Sequence, residues 1–277
     1  MPVETLAEAL PYVNWITLVS LAVGAFYFVA ITGWATDATS GYLRFTAVSA
    51  AILAALAFAS DGALPQPTVL AIKPAPAELD TLRRLGLGAL AITALAYGVL
   101  LARRPARFVL TGAAVASGAI TLGAAAVGWA PTLVDSVPLL VQLGTLSAVT
   151  GGALAAIALG HWYLVTPKLS ERPLLLQSRM LLTALVVQAL LFVVWGTLGG
   201  GVDQGPWEAL TGSSALLAWL RGIITVGFPV VLVYMALLTA QTRSMESATG
   251  LLYICLAAVL AGTIGAAALY VSNGILI

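Results

Sequence analysis

The stretch VPLLVQLGTLSAVTGGALAAIALGHWYLV, Val137 to Val165, contains no Asp, Glu, Lys or Arg. An apolar run of about 18 or more residues, rising about 1.5 Å per residue as a helix, can cross the roughly 30 Å hydrocarbon layer of a bilayer. No water reaches that layer, so an open chain there must satisfy its backbone N–H and C=O groups within a helix. The stretch therefore reads as a transmembrane helix. The same criterion selects seven further runs, 12–33, 43–60, 84–102, 107–129, 178–198, 214–239 and 249–275. The expectation is an all-α polytopic membrane helix bundle, about eight transmembrane helices with short loops, forming one integral membrane domain over 1–277. The run 43–60 is the shortest; without it the count would be seven and the termini would lie on opposite sides.

Composition points the same way. Of 277 residues, 61% are hydrophobic and 8% charged, against about a quarter charged in soluble domains. So little charge cannot solvate the surface of a globule of this size, which leaves lipid as the solvent. A net charge of +1 gives no clustered cationic face for nucleic acid, so the expected partners are the bilayer and other membrane subunits. The single cysteine, Cys255, lies in an apolar run and reads as a small buried hydrophobe. The first fifteen residues carry Glu4 and Glu8 and no basic residue, unlike a cleavable signal peptide, so the first run reads as a retained helix.

Basic residues orient the bundle. One side of the expected topology holds Arg44, Arg103, Arg104, Arg107, Lys168, Arg172, Arg179 and Arg243; the other holds Lys73, Arg83 and Arg84, with Arg221 inside the seventh run. The positive-inside rule makes the richer side cytoplasmic and places both termini on the non-cytoplasmic side of the cell membrane. The two longest connections, 61–83 with four prolines and 199–212 with its glycine run, then face outward.

Within the opening stretch, Gly144, Ala148, Gly152, Ala156 and Gly160 recur every four residues. Residues at that spacing share one slowly drifting ridge, where the lack of bulk lets another helix approach closely. Ala258, Gly262 and Ala266, and Ala114 with Gly118, repeat the device. The ridge is read as tight internal packing, with a partner subunit or a flat cofactor ring as the alternative.

His161 and Arg221 are the unusual polar groups. His161, the only histidine, is a candidate axial haem ligand, quinone partner or proton relay; it equally suits an interfacial belt with Trp162 and Tyr163. A haem with two histidine ligands from this chain is excluded by count. Arg221 lies about seven residues inside its run. It is either an anion clamp offset by Glu208, or an interfacial cation snorkelling beside Trp219, because 222–239 alone nearly spans. Pro229 should kink the same helix. Gln142, Thr145, Thr150 and Gln188 are the deepest neutral polar groups and read as interhelical hydrogen-bond partners.

No Asp or Glu lies inside any of the eight runs, which argues against proton- or sodium-coupled transport. Lys73 and Lys168, the only lysines, fall in loops, so no retinal Schiff base is available. His and Cys are too few for a metal cage, and no acid completes an intramembrane triad. Catalysis by this chain alone is therefore not expected. The leading expectation is an integral membrane subunit of a larger assembly, holding a haem or quinone through His161 and Arg221 in an electron-transfer chain. The rival is a facilitator or transporter of a small neutral or anionic solute.

Overall fold

The computed structural model describes residues 3–100, 104–166, 169–199 and 205–277; Arg103, Lys168 and residues 200–204 of the second long connection lie outside them. The chain is 85% helical, with no strand among the described residues. Among the described residues, eight helices are long and apolar enough to cross a membrane. The protein is a multi-pass membrane helix bundle.

The first six spans are continuous helices: α1 (Val3–Ala35), α2 (Ser40–Asp61), α3 (Ala77–Leu100), α4 (Arg104–Trp129), α5 (Leu133–Val165) and α6 (Arg172–Leu198). A short α7 (Glu208–Thr211) precedes the seventh span, which is assembled from α8 (Ala215–Leu220), a π-helical segment (Arg221–Gly227) and α9 (Phe228–Gln241). The last span is α10 (Met245–Asn273). Most helices outrun their apolar stretches: α1 starts well before residue 12, α3 before 84 and α6 before 178. Apolar runs measure the hydrocarbon layer, whereas a helix continues into the interface wherever its polar side chains find water or partners.

The break in the seventh span has a local cause. Pro229 has no N–H, and its ring crowds the carbonyl four residues back, at Thr225. The turns before it widen instead, and the Phe228 N–H bonds to the Ile223 carbonyl, five residues earlier. Two glycines admit the wide segment. A Cβ on Gly222 would lie 2.6 Å from the Phe192 ring of α6, and one on Gly262 of α10 would lie 2.6 Å from Thr225.

Packing centres on α1 and α5, both mostly buried. Their backbones touch: a Cβ on Gly24 would fall 1.7 Å from the Ser147 carbonyl oxygen, and one on Gly151 would fall 2.3 Å from the Ala25 nitrogen. The ridge of α5 meets several neighbours. Gly152 lies against the Phe28 ring, Gly160 against Thr249 of α10, Ala156 is buried, and Gly144 has no atom within 4 Å of its would-be Cβ. In lipid, where water exclusion gives helices no reason to associate, such van der Waals approach is the main cohesive term.

Both chain ends share one face of the bundle, where Thr5 and Asn273 line the same cavity. Connection 62–76 straps that face. Thr68 N–H donates to Glu8 (3.0 Å), Tyr12 hydroxyl to the Pro65 carbonyl (2.6 Å), and Ala71 N–H to the Val271 carbonyl (2.9 Å). Lys73 N–H donates to the Trp129 carbonyl at 3.1 Å, and its ammonium donates to the Pro131 carbonyl. A proline-rich segment short of backbone donors is thus held by two helix side chains, Glu8 and Tyr12, and by backbone carbonyls at Trp129, Pro131 and Val271.

Candidate functional site

Three places carry polar groups the bundle did not need for spanning. The first is Arg221, the opening residue of the π segment. It is buried, 4% exposed, and its Nη1 donates to the Gly262 carbonyl at 2.6 Å. Gly262 lies eleven residues before the end of α10 at Asn273, about 16 Å along the axis and so near mid-membrane. The interfacial reading of Arg221 is therefore overturned: widening before Pro229 and the bare backbone at Gly262 draw the guanidinium inward instead of letting it snorkel past Trp219, whose indole N–H bonds to the Leu210 carbonyl at 3.1 Å. Nor does Glu208 offset it, since that carboxylate accepts from the Gly205 N–H at 2.8 Å. Among the described residues Arg221 has no carboxylate in ion-pair range, and its buried Nε has no hydrogen-bond partner.

A buried cation without an anion is a liability for folding, because desolvation is not offset by Coulomb attraction. Arg221→Met, close in volume and uncharged, is accordingly expected to leave the thermal midpoint unchanged or raise it by a few degrees. A scan of the purified variant in detergent checks this. A large drop would make Arg221 structural.

The second place is His161, on the exposed side of α5 about one turn before its end. Its Nδ1 lies 3.5 Å from the hydroxyl of the exposed Tyr253 on α10, and the adjoining Trp162 packs where a Gly41 side chain would otherwise sit. Arg221 meets α10 at Gly262 and His161 meets it at Tyr253, nine residues apart, about 13 Å along the helix. The two candidate cofactor residues thus belong to separate sites.

The third is a groove that sequence reading missed. Helix α4 leans on α3, and α6 packs on α5 and α9; between α4 and α6 part of the α1–α5 surface stays uncovered. The half-open groove there holds about 480 Å³, with Tyr27, Leu122, Gly144, Ala148, Arg179 and Thr183 among its walls. Its hydroxyls are committed to backbone: Tyr27 to Val115 (2.7 Å), Ser147 to Leu143 (2.8 Å) and Thr183 to Arg179 (2.9 Å). Arg179 is its one charged residue and, among the described residues, makes no side-chain hydrogen bond or ion pair. It lies seven residues into α6, about 10 Å from a helix end that itself extends past the hydrocarbon. From there an extended arginine can keep its stem in the groove and reach headgroup level with its charge.

A fourth cluster, also missed, is structural. Arg83 of α3, 3% exposed, is gripped by Asp61 at the end of α2 (Nε–Oδ2 2.7 Å) and by Asp80 (Nη1–Oδ1 2.6 Å). Its guanidinium also lies 5.5 Å from the Trp15 ring centre and 5.3 Å from that of Trp129, at favourable cation–π range. Asp61 stands one residue beyond its apolar run and Arg83 one residue before the next, so each reads as a loop charge in sequence. A cavity of about 270 Å³ opens beside them.

The neutral polar residues divide. Thr150 of α5 and Thr263 of α10 share a buried hydrogen bond, whereas Thr145 bonds within its own helix to the Val141 carbonyl at 3.0 Å. Gln142 and Gln188 are buried. Gln177, one residue before its run, joins three helices by donating to Thr32 (2.9 Å) and Tyr42.

No family model matches the chain, and neither the curated proteins nor the solved structures gave a match to it.

Proposed function

We propose that the protein is a non-catalytic membrane subunit of a larger assembly that holds a lipid-soluble molecule, a quinone being the candidate of best fit, in the groove between α1, α4, α5 and α6. The observation that carries this reading is the groove itself: an apolar trough between membrane-spanning helices, with Gly144 and Ala148 in its wall and one uncommitted cation, Arg179, among its lining residues. A flat ring or isoprenoid tail needs a smooth wall without side-chain bulk, and a carbonyl or anionic head needs a donor; Arg179 supplies five N–H groups in a fixed fork. The haem alternative draws less support. His161, the one available axial ligand, stands away from the groove on an exposed helix face, so a haem bound through it would be shared with another subunit. The bundle is proposed to sit in the cell membrane with its terminus-bearing face outside, because Arg44, Arg107, Arg172, Arg179 and Arg243 gather toward the opposite end.

Gly144→Leu tests the reading, because a Cβ at Gly144 meets no atom within 4 Å and Gly144 lines the groove, into which the added side chain extends. Protein purified from native membranes should yield a quinone or related isoprenoid on solvent extraction and mass spectrometry. The Leu variant should retain at most about a tenth as much, since a tenfold loss needs only about 1.4 kcal/mol, within the usual cost of overpacking, while its melting temperature shifts little. Absence of any such molecule from the parent protein would overturn the reading. The rival, passage of a small anionic solute, is favoured by one observation, the uncompensated Arg221 in a broken helix.

A further inference from the structure

A cavity of about 450 Å³ opens on the terminus-bearing face between α8, α10 and the start of α1. Its walls include Ser213, Ser214, Leu217, Leu269, Ser272 and Asn273, and no lining residue is acidic. Three of these offer hydroxyls, and the Ser272 hydroxyl is buried without a partner. The walls descend on the two elements that hold Arg221. Leu217 and Arg221 are four residues apart, so Arg221 shares the helix face of Leu217 one turn deeper. On α10, Leu269 and Gly262 are seven residues apart and again share a face, two turns deeper. The Arg221–Gly262 contact therefore lies about one turn beyond Leu217 and two beyond Leu269, both walls of the cavity.

We propose that this cavity is the mouth of a site for a small monovalent anion, a carboxylate or an inorganic ion, whose fixed positive charge is Arg221. This inference is independent of the groove on the other side of α5. Four observations converge on it. The cation is nine-tenths buried and has no carboxylate partner among the described residues, and its Nε is unused. The approach is lined by uncharged donors, which take up part of an anion's hydration shell and repel no anion. The guanidinium lies well below the interface, where a fixed charge is poorly screened and therefore selective. Lastly, Arg221 opens the seven-residue π segment ahead of Pro229, and such segments gather at functional sites. Leu217 and Leu269 line the cavity while Arg221 does not, so an anion reaches the guanidinium only when side chains at the inner end of the cavity turn aside.

The test uses the thiol chemistry that a chain with one cysteine permits. Cys255 is fully buried, so the parent protein in proteoliposomes should react little with impermeant methanethiosulfonates. Leu217→Cys is then labelled with a sulfonate-bearing reagent and a trimethylammonium-bearing one, each rate divided by its rate on free mercaptoethanol. The anionic reagent should react at least about tenfold faster than the cationic one, the usual scale of electrostatic focusing in a low-dielectric cleft. Adding Arg221→Gln should bring the ratio near one, and Arg221→Lys should keep most of it. In the Leu217→Cys protein with Arg221 intact, nitrate should slow the sulfonate reagent beyond the effect of a matched ionic strength of sulfate. This last comparison needs no change at Arg221, so it stands even if Arg221→Gln fails to fold. Failure of both reagents to reach Leu217→Cys, a ratio indifferent to Arg221→Gln, or nitrate acting no more than sulfate would each overturn the proposal.

Discussion

Arg83→Ala is expected to destabilise the bundle by about 3–5 kcal/mol, the usual consequence of removing one partner from a buried ion pair. In detergent this corresponds to a fall of about 10 °C in melting temperature for a chain of this size. Asp61 is 7% exposed and would be left as a buried charge without its cation. Trp15 and Trp129, 4.9 Å apart by ring centres in a T-shaped pair, would lose the cation that both rings face. The strap over the terminus-bearing face should loosen too, since Tyr12 and Trp129 both touch it and both line the adjacent cavity. The double variant Asp61→Leu, Arg83→Met separates charge from shape. It removes both buried charges while keeping volume, so most of the lost stability should return. Asp80, partly exposed, needs no partner to stay solvated. If the double variant is no more stable than Arg83→Ala, the pair is held by its geometry, and the desolvation account is wrong.

That cluster also shows where sequence reading succeeds and where it stops. Apolar run length fixes the number of crossings, because lipid permits no other way to bury a free backbone. It does not fix where a helix ends. Asp61, Arg83 and Gln177 each sit one residue outside their runs and look like loop residues, yet α2, α3 and α6 carry them into the bundle and pair them with residues 22, 22 and 145 positions away. Long-range pairing of that kind has no local signature. The same holds for the groove, which exists because α4 and α6 diverge over α1 and α5; no single helix encodes it. Arg221 and Pro229 were legible as unusual residues. The inward turn of Arg221 was not, because it depends on a π segment seated against Gly262 of another helix.

An effect of comparable size is expected at the crossing of α1 and α5. Gly24→Val and Gly151→Val should each cost more than about 3 kcal/mol, the upper end of ordinary overpacking, and should lower the yield of folded protein. Overpacking is usually relieved when a side chain rotates away. Here the atoms in the way are backbone: the Ser147 carbonyl for Gly24, and the Ala25 nitrogen and Gly24 Cα for Gly151. Relief would require two mostly buried helices to separate, along with the Gly152–Phe28 contact one residue further on. Lipid offers no hydrophobic gain to hold the remaining interface together. The ridge of every fourth residue, Gly144 to Gly160, supplies the controls. Gly144→Ala meets open space and should be neutral or stabilising by up to about 1 kcal/mol, through helix propensity alone. Gly160→Ala meets the Thr249 side chain at 2.7 Å, which can turn, and should fall between. Unfolding titrations of the four variants in mixed micelles would order them. If Gly144→Ala proves as damaging as Gly151→Val, glycine content rather than backbone approach governs the bundle's stability.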